Sequence, residues 1–420
     1  MLCSARARAS LLLALLITAL SSGVISKDLP SARPEDVGLS SERLARMDKA
    51  LHAFVDAGRT PGVVTLVARH GKVVHVDAYG KADVVSGRPT RADDIFRMFS
   101  MTKPITSTAL LMLYEEGRFQ LTDPLSRFLP AFADIRVYAG STPQGGMRLD
   151  ALKRPITIHD VFRHTAGFSY GPFGNTPVDK AYNEADVLGK DLPALIEKVA
   201  KLPLLAQPGE RWIYSVAHDV QAALVEKISG QKFDEFVRQR IFVPLEMNDS
   251  MFKVPAEKKP RLPGLYATGR DGKLVVDTSP LGRDYGDAVF GGHSISTTIG
   301  DYALFAQMLL NKGQLNGVRL LSPKTVELMS MNHLPGPAMA AGGVRPGTGY
   351  GLGVSVLLDP AAAGNLGSVG EFGWSGAANT HVFIDPKEDL VAIYCTQLML
   401  TDFGLRSEFA TLLYQSIVGN

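Results

Sequence analysis

Cysteine is almost missing from this chain: its 420 residues contain two, Cys3 and Cys395. Cys3 falls in a stretch with the make-up of a secretory leader. Arg6 and Arg8 form its basic part, Leu11 to Leu20 its apolar part, and small residues run from Ser21 to Ser26. Residues 1–26 are therefore expected to be removed on export, to the periplasm or the medium. Cys3 precedes the apolar run and leaves with it. A single remaining cysteine closes no internal disulfide, so packing must hold the exported chain together. The apolar run is too short to span a bilayer; an uncleaved amphipathic anchor is the competing reading. Cys395, at the end of the apolar run that starts at Leu390, reads as a buried strand residue.

Neither sign of charge dominates. Losing Arg6 and Arg8 brings the 44 basic residues level with the 42 acidic ones. That balance asks for neither nucleic acid nor an anionic membrane. The nine histidines form no H-E-x-x-H and no clustered ligand spacing. No metal and no cofactor is expected. Internal repeats are absent, as are low-complexity tracts after the leader. The 45% hydrophobic and 20% charged composition is that of an ordinary globular chain with a large core. Length alone suggests two or three domains.

Strand patterns cluster at the two ends of the chain and helical ones in the middle. Ser40 can cap a helix carrying Leu44, Met47, Leu51, Phe54 and Val55 at helical spacing. Val63 to Arg69 and Lys72 to Tyr79 read as a hairpin closed by His70-Gly71. Helices are expected from Ile105 to Glu116, Thr157 to Thr165, Ala217 to Ser229, Phe233 to Phe242 and Thr298 to Asn311, then a short hairpin over Gly317 to Leu321. Strands are expected over Gly351 to Leu358, Thr380 to Ile384 and Leu390 to Cys395, before a last helix from Arg406 to Ile417. Residues 134–155 and 169–190 read as long surface loops that shape a site. One sheet built from both termini, with a helical region inserted, accounts for the order.

Ser100-Met101-Thr102-Lys103 opens the Ile105 helix, with Pro104 in its first turn, where proline costs little. Residues three apart share a helix face, so the Ser100 hydroxyl and the Lys103 amine can meet. A serine beside an amine able to shed its charge is a nucleophile with its own base. The helix dipole favours negative charge developing there. Alone the motif says little, because Ser229 to Lys232 and Ser250 to Lys253 repeat it. The first sits at a helix end with Gly230 as cap, and the second points its two side chains apart if extended.

Two further segments add chemistry. Tyr214 lies in an irregular stretch just before a helix start, and a phenol near a cation is a usable acid or base. Gly373-Trp374-Ser375-Gly376-Ala377-Ala378 precedes a strand, and its small residues let a backbone N–H approach a substrate carbonyl, as an oxyanion hole requires. Taken singly, Tyr214 reads as a core tyrosine and Trp374 as an ordinary buried aromatic.

Together, Ser100-Met101-Thr102-Lys103, Tyr214 and Trp374-Ser375-Gly376 resemble the serine β-lactamase and penicillin-binding-protein superfamily, and within it the family VIII carboxylesterases, which are similar to class C β-lactamases. His164-Thr165-Ala166-Gly167, Phe290-Gly291-Gly292 and Gly349-Tyr350-Gly351-Leu352-Gly353 look like segments of the same family. The likeness covers about residues 35–415. It implies an α/β (α+β) fold of the β-lactamase/transpeptidase type: an antiparallel sheet from about 35–99 and 290–415, and a helical region from about 100–289. It implies an acyl-enzyme on Ser100, with Lys103 and Tyr214 sharing the proton and the backbone N–H groups of Ser100 and Ala377 holding the oxyanion. β-Lactamases of this type carry lysine where Trp374 stands and asparagine where Val216 stands. Losing those groups favours a neutral ester over an anionic β-lactam, and family VIII esterases share the tryptophan. Ser375, where many relatives have glycine, narrows the site.

Other readings compete. On the same site, β-lactamase, D-amino-acid peptidase or amidase, and acyltransferase chemistry are alternatives; so is a non-catalytic binding or assembly protein of the same fold. Gly167-Phe168-Ser169-Tyr170-Gly171 matches G-x-S-x-G, which needs a strand before Ser169 and a helix after it. The residues before it have helical spacing, and Gly171-Pro172 breaks a following helix. His164 reads as a structural helix-end residue. His293, beside Gly291-Gly292, is a candidate for the pocket.

Overall fold

The computed structural model describes residues 29–283, 286–341 and 343–419. The expected leader, residues 1–26, lies outside the described residues.

Helix α1 (Ser41–Asp56) begins where the Ser40 side chain accepts from the Arg43 N–H, and it buries Leu44, Met47, Leu51 and Phe54. Strands β1 (Gly62–Arg69) and β2 (Lys72–Gly80) form the expected hairpin. His70 and Gly71 have φ of 52° and 71°, the left-handed pair that a two-residue hairpin turn demands. Helix α2 (Thr102–Glu115), helix α3 (Ala217–Ser229) and helix α4 (Ile299–Leu310) follow. Gly230, at φ 76°, closes α3 with a left-handed cap. Strands β3 (Thr348–Tyr350), β4 (Ser355–Leu357), β5 (Phe372–Gly376), β6 (Thr380–Asp385) and β7 (Leu390–Cys395) lead to helix α5 (Leu405–Tyr414).

The seven strands make one sheet in the order β3-β4-β5-β6-β7-β1-β2, each neighbour antiparallel. Sequence-distant β7 and β1 pair centrally, Val64 opposite Cys395. Both faces are covered. Val63, Val67, Ala392 and Tyr394 pack with α1 and α5 on one side. Val64, Leu66, Ile393 and Cys395 face the larger core of α2, α3 and α4 on the other. This two-residue alternation explains why every residue of β1 is buried. Among the described residues, no helix is long and apolar enough to cross a membrane.

Several boundaries differ from expectation. Residues 134–155 contain a hairpin, Val137–Ser141 against Met147–Asp150. Residues 169–190 contain a helix, Pro177–Glu184, capped reciprocally by Thr176 and Asp179. The expected helix from Phe233 ends at Val237 and continues as a π turn over Arg238–Phe242. The strand expected from Gly351 starts only at Ser355. Trp374, Ser375 and Gly376 precede strand β6 as expected, and in addition lie in a strand themselves, β5. Its glycine has a packing cause: a Cβ on Gly373 would sit 2.0 Å from the Val382 carbonyl oxygen.

Candidate active site

Ser100 sits in a tight 3-10 turn, Phe99–Met101, which runs directly into α2. It thus precedes the α-helix instead of opening it. Phe99 is held at φ 45°, an uncomfortable value for a non-glycine residue and a form of strain common beside reacting groups. One turn on, the buried Lys103 amine donates to Ser100 Oγ at 3.1 Å and to the Gly292 carbonyl at 2.8 Å. Tyr214 OH donates to the same Ser100 Oγ at 2.5 Å. Lys103 Nζ lies 4.7 Å from the centre of the Tyr214 ring and 5.4 Å from that of Tyr170. The chain therefore brings Ser100, Lys103 and Tyr214 together.

Tyr214 is positioned from behind. The Ile213 N–H donates to the His164 carbonyl at 2.9 Å, and the Val216 N–H to the Ser169 carbonyl at 3.3 Å. The buried His164 ring lies 5.1 Å from the Tyr214 ring and 4.8 Å from that of His218. His164 Nδ1 is 3.1 Å from Ser215 Oγ. Burial holds both histidines well below the usual imidazole range. Val216 is itself buried, turned from the cleft.

Behind Lys103 stands Asp219 of α3, which sequence reasoning missed. Its Oδ1 accepts from the Gly292 N–H at 2.9 Å, while the carbonyl of the same glycine accepts from Lys103. Burial pushes Asp219 up to about 6, against the pull of Lys103. A Cβ on Gly291 would stand 2.2 Å from the His218 carbonyl oxygen, so the glycine pair is what lets this segment pass against α3.

The other wall is β5. A Cβ on Gly376 would lie 2.3 Å from the Met98 carbonyl oxygen and 2.3 Å from Thr380 Oγ1. Glycine there lets the strand end press against the Ser100 turn, which puts Ala377 beside Ser100 in one cleft of about 280 Å³. The Ala377 carbonyl accepts from the Leu400 N–H at 2.8 Å. Trp374 stands edge-on to Tyr350, with ring centres 5.1 Å apart, and 5.8 Å from Tyr214. Ser375 Oγ lies 2.6 Å from His381 Nδ1.

Two cleft residues gave no sequence signal. Arg345 comes from a loop and Arg406 from the start of α5. Arg406 reaches Ser375 Oγ at 3.4 Å. Among the described residues neither has a carboxylate at ion-pair distance. Burial, and then Arg345, hold Arg406 below the usual guanidinium range. A cation thus stands near Trp374 after all, contributed from elsewhere in the chain.

The remaining candidate serines fall outside this cleft. Ser169 is buried, donates to Asp179 Oδ1 at 2.5 Å and has no strand before it. Ser229 Oγ donates to the Val225 carbonyl, and Ser250 is bonded to Thr297 and Asp301. His293 lies beyond Phe99, lining a separate cavity of about 300 Å³ and the narrow space that links it to Ser100.

The sequence profile of the Beta-lactamase family matches residues 47–414. The chain belongs to the beta-lactamase family. Protein Rv1367c of Mycobacterium tuberculosis is 33% identical over 83% of this chain and 88% of that protein. Esterase EstB of Burkholderia gladioli is 32% identical over 84% and 90%. Among solved structures, simvastatin synthase (LovD) of Aspergillus terreus superposes with a TM-score of 0.79 at 25% identity, over 89% of this chain and 98% of that one. Esterases and acyltransferases both occur among the relatives of this beta-lactamase-family chain, and its fold is the beta-lactamase/transpeptidase-like one.

Proposed function

We propose that this chain is a serine esterase working through an acyl-enzyme on Ser100. One observation carries the reading: Ser100 Oγ stands within hydrogen-bond reach of both Tyr214 OH and Lys103 Nζ, at the base of an aromatic-walled cleft. Ser100 Oγ attacks the ester carbonyl and its proton passes to the Lys103–Tyr214 pair. The tetrahedral oxyanion is held by the backbone N–H groups of Ser100 and Ala377. Collapse breaks the bond to the alcohol, which leaves with a proton from the pair. Water then attacks the acyl-enzyme, the same pair takes its proton, and the acid is released with Ser100 restored. Both groups contact Ser100 Oγ, so neither is named the sole base.

The esterase relatives support hydrolysis, and the acyltransferase relatives support a second reading in which an alcohol replaces water in the last step. The test is turnover of p-nitrophenyl esters beside a D-alanyl amide and nitrocefin, with fluorophosphonate labelling of Ser100. Ester turnover abolished by Ser100→Ala is the expected result. Faster turnover of the amide than of every ester rejects the reading, and so does an unlabelled Ser100. Product partition with added alcohol separates transfer from hydrolysis.

A further inference from the structure

Leu400 has no local reason to be leucine. Its φ is 56°, a left-handed conformation that glycine and asparagine adopt far more easily. Nor does packing demand it, since 60% of its surface is exposed. What distinguishes it is place. It lines the Ser100 cleft, and its N–H holds the Ala377 carbonyl at 2.8 Å. On the Tyr214 side of the same cleft stands Phe173, 50% exposed, its ring 5.9 Å from that of Tyr214. Trp374 lines the same cleft, its ring 5.8 Å from that of Tyr214.

We propose that Leu400 and Phe173 form an apolar jaw at the cleft mouth that selects esters with an extended apolar acyl group. The inference rests on the esterase reading above and names its substrate class. The acyl half remains on Ser100 through both steps, beside Ala377, the residue to which Leu400 is bonded. An apolar chain lying along Leu400, Phe173 and Trp374 removes its own surface and theirs from water, and a strained, exposed leucine is thereby accounted for. Phe403 provides a built-in control. It shares the left-handed conformation (φ 49°) and the exposure, but does not line the cleft.

The experiment compares kcat/KM on p-nitrophenyl acetate, butyrate and octanoate for the wild type, Leu400→Asn and Phe403→Asn, with melting temperatures. Asparagine matches leucine in shape and accepts positive φ. The octanoate-to-acetate ratio is expected to fall about fivefold to tenfold in Leu400→Asn, with no loss of melting temperature, and to hold in Phe403→Asn. An unchanged ratio in Leu400→Asn overturns the inference, and so does an equal change in Phe403→Asn. A melting temperature lowered by many degrees makes Leu400 a packing residue and overturns it too. A wild type that turns over no ester sinks the esterase reading itself, a separately recognisable result.

Discussion

Tyr214 and Ser100 lie 114 residues apart in sequence, yet the tyrosine hydroxyl donates to the serine oxygen at 2.5 Å. In the proposed reaction the same contact, with Tyr214 as acceptor in place of donor, is a path for the serine proton. Tyr214→Phe deletes only the hydroxyl and keeps the ring that packs on His164, Trp212 and Trp374. It should lower kcat about a hundredfold to ten-thousandfold with little change in melting temperature. Ser100→Ala should lose at least about a thousandfold. Ser169→Ala removes a hydrogen bond to Asp179 and should change stability more than turnover. Steady-state kinetics beside thermal melts separate these outcomes, and activity that follows Ser169 would relocate the site.

Gly376→Ala tests the other wall. Glycine there is dictated by space, because any Cβ collides with the Met98 carbonyl oxygen. The strand end must back away from the Ser100 turn, and Ala377 with it. Loss of one oxyanion donor costs about a hundredfold to a thousandfold in kcat. The expected signature is that fall in kcat with KM within about threefold. A proportional rise in KM with kcat intact would mean that Ala377 only binds substrate.

Arg406 bears on charge preference. Among the described residues no carboxylate stands at ion-pair distance from this guanidinium, which is held beside Ser375 in the cleft and can meet one on a substrate. Arg406→Met keeps much of the side-chain bulk and removes the charge. A hemisuccinate ester, compared with the butyrate ester of the same phenol, should lose about tenfold to a hundredfold in relative kcat/KM. An unchanged ratio would return Arg406 to a structural role.

Legibility followed locality. The hairpin at His70-Gly71, the Ser40 cap and the Gly230 end of α3 are written in adjacent residues, and all three stand in the structure. The convergence of Ser100, Lys103 and Tyr214 was readable because three short motifs kept their order and spacing. Strand β5 was not, because Gly373 and Gly376 answer to backbones passing close by, which no propensity records. The helix at Pro177 hid in a Gly- and Pro-rich stretch, although Thr176, Pro177 and Asp179 spell its start. Arg345 and Arg406 reach the site from segments with no motif beside them, and Asp219, on the helix that follows Tyr214, shows its place only once that helix is packed behind Lys103.

Asp219 joins stability to chemistry. Its carboxyl titrates near 3.8 in the unfolded chain and is raised to about 6 in the fold, chiefly by burial. A raised carboxyl pKa means that the native state holds the proton more tightly. Its stabilising share is complete below pH 3.8 and is lost as pH climbs through about 6. Asp219→Asn removes that penalty and keeps an oxygen for the Gly292 N–H. The variant should match the wild type near pH 3.5 and exceed it at pH 8, by on the order of 2–3 kcal/mol. Denaturant melts at the two pH values measure the difference. If the carboxylate also positions Lys103 through Gly292, the more stable variant will be the slower enzyme. That opposition is expected of a charge kept for function, since selection retains a buried, half-satisfied carboxylate only where it does something that asparagine cannot. An Asp219→Asn variant no more stable at pH 8 than at pH 3.5, relative to wild type, would show that the folded pKa is not raised. One that is both more stable and fully active would leave the aspartate without a role in the reaction.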